Sequence, residues 1–126
     1  MNSDLIVLLV EDSDFQREFM VETLKEMGFK KVVEAQDGIE AFKYLQKRKV
    51  DLVVSDWEMP NLDGVKLFEK LKSNSIYESI PFILLTTKDE KEKIISAAKT
   101  GISHYLLKPL DKKTLKRKLE TIFGKG

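Results

Sequence analysis

Four short apolar runs in this chain end in side chains that could act together on a phosphoryl group. Glu11 and Asp12 follow LIVLLV (5–10), and Asp56 ends VDLVVSD (50–56). Thr86 and Thr87 end PFILLTT (81–87), and Lys108 and Pro109 follow HYLL (104–107). Carboxylates gathered in one place resist ionisation unless a cation compensates them. Oxygen ligands without His or Cys suit a hard ion such as Mg²⁺, which needs one or two carboxylates plus waters and a phosphate oxygen. A lysine beside them supplies a fixed positive charge, and phosphoryl transfer depends mainly on positioning and charge neutralisation. Taken singly, Glu11 and Asp12 read as first-turn acids or caps, Thr86 as a cap and Lys108 as a solvated lysine. Their recurrence at four run ends carries the chemical meaning.

The elements that must bring these residues together alternate regularly. Five apolar runs, 5–10, 31–35, 50–55, 81–87 and 104–108, read as strands, and the first, third and fourth are apolar enough to be buried on both faces. KVVEA (31–35) is mixed and suits an edge. Helical spacing joins Met20, Leu24 and Met27 before Gly28. It also joins Ile39, Phe42 and Leu45; Leu67, Phe68 and Leu71; Ile94, Ile95, Ala97 and Ala98 before Gly101; and Leu115, Leu119 and Ile122. Five βα units imply a parallel sheet with helices on both faces and right-handed crossovers. Such folds bind ligands beyond the carboxyl ends of the strands, where the chemistry-bearing residues stand.

Composition narrows the function further. At 126 residues the chain suits one domain, 1–126. No cysteine is present and His104 is the only histidine, so disulfides, thiolate metal sites and Ser-His or Cys-His catalysis lack their parts. No apolar run approaches a membrane span and the acidic start is unlike a signal peptide, so a cytoplasmic protein with no membrane partner is expected. The net charge of +1 is unevenly spread: residues 1–85 hold 11 Lys and Arg against 16 Asp and Glu, residues 86–126 hold 11 against 5. That basic third could attract an acidic partner; nucleic acid is not expected, for want of a recognition motif.

The segments VEDSD, SDWEMPNLDG, LLTT and YLLKP, in this order and spacing across essentially the whole chain, resemble the response-regulator receiver domain, and most of all its single-domain chemotaxis members. The resemblance implies a flavodoxin-like (βα)5 three-layer sandwich with strand order 2-1-3-4-5. It implies phosphorylation of Asp56 by a histidine kinase. Mg²⁺, with Mn²⁺ as a substitute, would be held by Asp12, Asp56 and the backbone carbonyl of Glu58, with Glu11 assisting through water. Thr86 and Lys108 would contact phosphate oxygens, Tyr105 would be the aromatic switch that follows Thr86, and Lys108–Pro109 would be a cis peptide. A monomer would present its fourth helix, fifth strand and fifth helix to a target, with Ile94, Tyr105, Lys118 and Lys91 as contacts. The target would be the flagellar motor switch or another acidic amphipathic segment. With no output domain after Phe123, the effect is expected to pass through another protein.

Three positions at the mouth depart from the chemotaxis pattern. Glu58 stands where Asn is usual, Lys88 where an acid is usual, and Thr87 is bulkier than the common Ala or Gly. A Glu58–Lys88 pair across Asp56 is expected to shield the phosphoryl group and to put recognition by the usual chemotaxis phosphatase in doubt. Glu18, Glu22 and Glu26 form an acidic stripe on the first helix, either a kinase-docking surface or a solvated face. Two rival activities remain. A stand-alone phosphorelay carrier would need only the cleft. A small Mg²⁺-dependent phosphatase of the haloacid-dehalogenase type would need a second Asp where Glu58 stands, so turnover of an external substrate is not expected. A flavodoxin-like electron carrier fits worst, because Glu11 and Asp12 would repel the cofactor's phosphate.

Overall fold

A computed structural model describes residues 4–87 and 91–124 of the chain. The described elements are β1 (Ile6–Val10), α1 (Asp14–Glu26), β2 (Lys31–Ala35), α2 (Gly38–Lys47), β3 (Leu52–Asp56), α3 (Gly64–Lys72), β4 (Phe82–Thr86), α4 (Lys91–Ala98), β5 (Tyr105–Leu107) and α5 (Lys112–Phe123). The strands pair in parallel in the order β2-β1-β3-β4-β5. This is the expected doubly wound sheet, with the mixed strand β2 at one edge.

Strand alternation divides the interior into two layers, because successive side chains point to opposite faces. Leu8, Val10, Val53 and Leu84 pack with Leu45, Leu67, Phe68 and Ala97 from α2, α3 and α4. Val7, Leu9, Val54, Ile83 and Leu85 pack with Met20, Leu24, Leu115 and Leu119 from α1 and α5. Every residue of β3 and β4 is buried, as their near-continuous apolar composition requires.

Asp and Ser side chains start the helices at the top of the sheet. Ser13, Asp37, Asp63 and Asp111 each accept the backbone N–H three residues on. Gly28, at φ +102°, takes the left-handed conformation that ends α1. The inner face of α2 differs from expectation. Leu45 is buried and Phe42 packs against the core as expected, but Ile39 is 44% exposed, and Gly38 and Ala41 turn inward. Gly38 is pressed so closely on the Leu62 carbonyl that it sets the helix's inward face one residue earlier. Likewise in α4 Ala97 is buried and Ile94 partly buried, whereas Ile95 is 75% exposed.

Gly64 ties α3 to the end of β3. Its N–H donates to the Trp57 carbonyl at 2.8 Å, and a Cβ there would collide with the Asp56 carbonyl oxygen and crowd Leu84 Cδ1 at 2.7 Å. Gly64→Ala is therefore expected to destabilise the protein by about 1–3 kcal/mol, the usual penalty of overpacking. Urea unfolding checks this, and an unchanged midpoint would refute the close-approach argument.

Candidate functional site

Strand register carries the site. Ser55 lies beside Val10, Asp56 beside Leu85, and Thr86 beside Leu107. The residues just beyond these positions therefore converge on one rim. The Lys108 N–H extends the ladder to the Thr86 carbonyl at 2.8 Å, and the Glu11 N–H reaches the Ala35 carbonyl at 3.0 Å. The peptide between Lys108 and Pro109 is cis.

Lys108 is the centre of the cluster. Its Nζ lies 2.8 Å from Glu11 Oε1, 2.9 Å from Asp56 Oδ1 and 2.9 Å from Gln16 Oε1. Glu11 is 1% exposed, and its second oxygen accepts the Ser13 N–H at 3.0 Å. Asp56 Oδ1 also accepts the Trp57 N–H at 2.8 Å, whereas Oδ2 accepts no hydrogen bond among the described residues. Asp12 stands exposed at the rim. Carboxylate oxygens of Glu11, Asp12 and Asp56 lie within 4.8 Å of one another.

Burial pushes the Asp56 carboxyl up to about 6, aided by the Glu11 charge and opposed by Lys108. Asp12 is raised as well, through desolvation and then through its hydrogen bond to Glu11 and that residue's charge. For Lys108 burial opposes the charged form, yet the hydrogen bonds to Glu11 and Asp56 outweigh it and the ammonium is held more firmly than usual. Among the described residues, one cation thus faces three carboxylates. A hard divalent ion on the open side would relieve that excess, and the all-oxygen donor set suits Mg²⁺.

Thr86 completes the arrangement differently. It is fully buried, and its Oγ1 has no hydrogen-bond partner. An unpaired buried hydroxyl costs about 1–3 kcal/mol, so a phosphate oxygen arriving nearby would be attracted. Alternation puts Thr86 on the same face as Leu84, whose register partner is Tyr105. Tyr105 is half-buried, and its hydroxyl donates to the Ile102 carbonyl over 3.3 Å. Burial also raises its pKa.

At the mouth, Lys88 lies outside the described residues, so the expected Glu58–Lys88 pair lies outside them too; Glu58 Oε1 meets Lys93 Nζ at 3.0 Å, across to α4. Both side chains are more than half exposed, so the pair adds at most about 1 kcal/mol. Thr87 is exposed beside Lys108 and lines a groove of about 460 Å³ with Phe15, Phe19, Met20 and Leu110. On the proposed target face, Ile94 and Lys118 are partly exposed, and Lys91 is described only by its place in the first turn of α4.

Two supporting residues escaped the sequence reading. Arg17 clamps the first loop: Nη1 donates to the Glu11 carbonyl at 2.8 Å, Nε to Glu34 at 3.1 Å and Nη2 to Asp14 at 2.6 Å. Gln16 is the third acceptor of Lys108. The Ser13-x-x-Gln16 spacing signals a capping box, which would direct the Gln16 side chain back to Ser13 rather than across to Lys108.

The model of the response regulator receiver domain matches residues 7–120. This chain belongs to the response regulator receiver domain family. A chemotaxis protein CheY homolog from Campylobacter jejuni is 37% identical over 121 residues, covering 95% of this chain and 93% of the relative. Among solved receiver structures, Vibrio cholerae chemotaxis protein CheY4 superposes with a TM-score of 0.84 at 32% identity, over 95% of this chain and 99% of that one. The receiver domain of a Pseudomonas aeruginosa sensor histidine kinase gives 0.85 at 25% identity, over 97% and 99% of the two chains, and has a magnesium ion coordinated in its active site cleft. This chain is thus a CheY-like receiver, with the acidic pocket at which receiver domains bind Mg²⁺.

The raised Asp56 pKa sets a pH dependence. Its ordinary value is 3.8 and its folded value about 6, so in metal-free receiver the burial penalty is absent below pH 4 and grows as pH rises to 6. At about 1.4 kcal/mol per unit, less the screening by water at the mouth, Asp56→Asn should stabilise metal-free protein by about 1–2 kcal/mol at pH 7.5 and by nothing at pH 4. Urea unfolding with EDTA tests this. A wild type as stable as the variant at pH 7.5 would contradict it.

Proposed function

We propose that this receiver is the phospho-switch of a chemotaxis pathway. Asp56 takes a phosphoryl group from a histidine kinase, and the altered α4–β5–α5 face binds the flagellar motor switch. The observation that carries the reading is the orientation of the Asp56 carboxylate. Oδ1 is pinned by Trp57 and Lys108, and Oδ2 is left for an incoming phosphorus.

Asp12, Asp56 and the Glu58 carbonyl would hold Mg²⁺, with Glu11 acting through a water. When bound, the ion would neutralise charge on the transferred oxygens. The chain's own residues do the rest. The backbone N–H of Trp57 holds the nucleophile still, and Lys108 offers an N–H to a phosphoryl oxygen. The buried Thr86 hydroxyl finds an acceptor there and draws β4 inward, and Tyr105 follows on the same face, biasing a two-state surface. The acyl phosphate later hydrolyses, so the protein assists its own cycle without turning over an external substrate.

The likeness to the Campylobacter and Vibrio chemotaxis proteins supports the motor target, as does the basic character of α5, where Lys112, Lys113, Lys116, Arg117 and Lys118 cluster. An acidic amphipathic segment would match that charge. The kinase is expected to dock on the Phe15–Phe19 groove beside the acidic stripe of α1. No helix among the described residues is long and apolar enough to cross a membrane, in keeping with a cytoplasmic role.

Trp57 is the only tryptophan and is buried below the site. Its fluorescence should respond to Mg²⁺, respond further to beryllofluoride, and lose the second response in Asp56→Asn. Tightened binding of an acidic motor-switch peptide in beryllofluoride would support the chemotaxis role. Beryllofluoride binding without peptide binding would favour the phosphorelay carrier. No binding of Mg²⁺ by calorimetry would defeat both.

A further inference from the structure

We infer that Gln16 is a positioning residue that competes with the phosphoryl group for Lys108. This inference rests on the phospho-acceptor reading of Asp56 and concerns how readily that acceptor is loaded.

An ammonium has three N–H donors and no acceptor. In this receiver all three have a partner: Glu11 Oε1, Asp56 Oδ1 and Gln16 Oε1, at 2.8, 2.9 and 2.9 Å. A phosphoryl oxygen that approaches Asp56 Oδ2 can be contacted by Lys108 only when one of these acceptors gives way. Glu11 is a poor candidate. It is 1% exposed, and releasing Lys108 would leave a charged carboxylate buried with only the Ser13 N–H. Asp56 is buried as well. Gln16 is neutral and exposed, and water can replace its partner without stranding a charge. It is the acceptor that yields.

Local structure explains why Gln16 is available for this role. Ser13 and Gln16 have the spacing of a capping box, and Ser13 Oγ does accept the Gln16 N–H at 3.2 Å. The reciprocal bond is missing, because Glu11 Oε2 already occupies the Ser13 N–H. The Gln16 amide is therefore not tied to its own helix end and reaches Lys108, 92 residues away in sequence. The same buried glutamate thus holds one N–H of Lys108 directly and, by displacing Gln16, lets that residue take another.

The test is phosphorylation by phosphoramidate in Mg²⁺. In this reaction a bond forms from Asp56 Oδ2 to phosphorus as the P–N bond breaks. The nitrogen, already protonated, leaves as ammonia with the bonding pair. Gln16→Ala and Gln16→Met remove the competing acceptor, and should raise the labelling rate and the beryllofluoride affinity by about 2–10-fold, the net worth of one ordinary hydrogen bond. Gln16→Glu offers Lys108 a charged acceptor and should lower both. Mg²⁺ affinity should stay at the wild-type value in the Ala and Met variants, because Gln16 is not among the clustered carboxylates. A general loosening of the site would weaken Mg²⁺ and beryllofluoride together, and that pattern would overturn the proposal. So would unchanged labelling and beryllofluoride affinity in all three variants while wild type is labelled normally at Asp56. Failure of wild type to accept phosphoryl at Asp56 would instead remove the functional reading and this one with it.

Discussion

A single partly buried ammonium makes the rest of this receiver possible. Lys108 sits between Glu11 and Asp56 at the end of the sheet, where burial pushes the Asp56 carboxyl up. Because the cation arrives from β5 and the acids from β1 and β3, the triad also joins three strands at their carboxyl ends. Replacing such a cluster by apolar side chains would often leave a protein more stable. What the cluster offers instead is a residual negative charge suited to a hard cation. The incomplete neutralisation that burdens the cluster is the quantity that a divalent ion would relieve.

The supports of the triad are local and redundant. Glu11 is aimed by a backbone N–H one turn into its own loop, and that loop is held by Arg17, which bonds to a backbone carbonyl and to acids on two elements. Asp56 is aimed by the very next peptide group, and the loop beyond it is fixed by the Gly64 contact. Thr86 is the exception. It is the one buried side-chain polar atom among the described residues without a partner, and it lies on the face of the sheet shared by Tyr105 and α4. Rigidity therefore belongs to the residues that would receive a phosphoryl group under the proposed function, and unsatisfied bonding capacity to the residue that would report it.

Most of the fold could be read from the amino-acid order, because strands buried on both faces must be apolar throughout and their ends are then conspicuous. That is why Asp56, Thr86 and Lys108 stood out as a set. The inward face of α2 was misread at Ile39, since periodicity counts apolar residues and cannot register that Gly38 is pulled against Leu62. Gln16 was hidden by its own helix-start spacing, and its actual partner lies on the last βα unit. The expected partner of Glu58, Lys88, lies outside the described residues, and the ion pair with Lys93 went unread because its spacing of 35 residues carries no local signal.

The two ends of the sheet have a further consequence. An exposed strand edge is a template on which a second chain can add, and long apolar edges invite aggregation. Here the strongly apolar strands lie inside. The edge at β2 carries exposed Lys31 and Glu34, and the edge at β5 is only three residues long. A receiver with a net charge near zero has little electrostatic repulsion to keep its copies apart. The poor quality of its sheet edges as templates supplies a barrier to edge-to-edge pairing that its net charge does not.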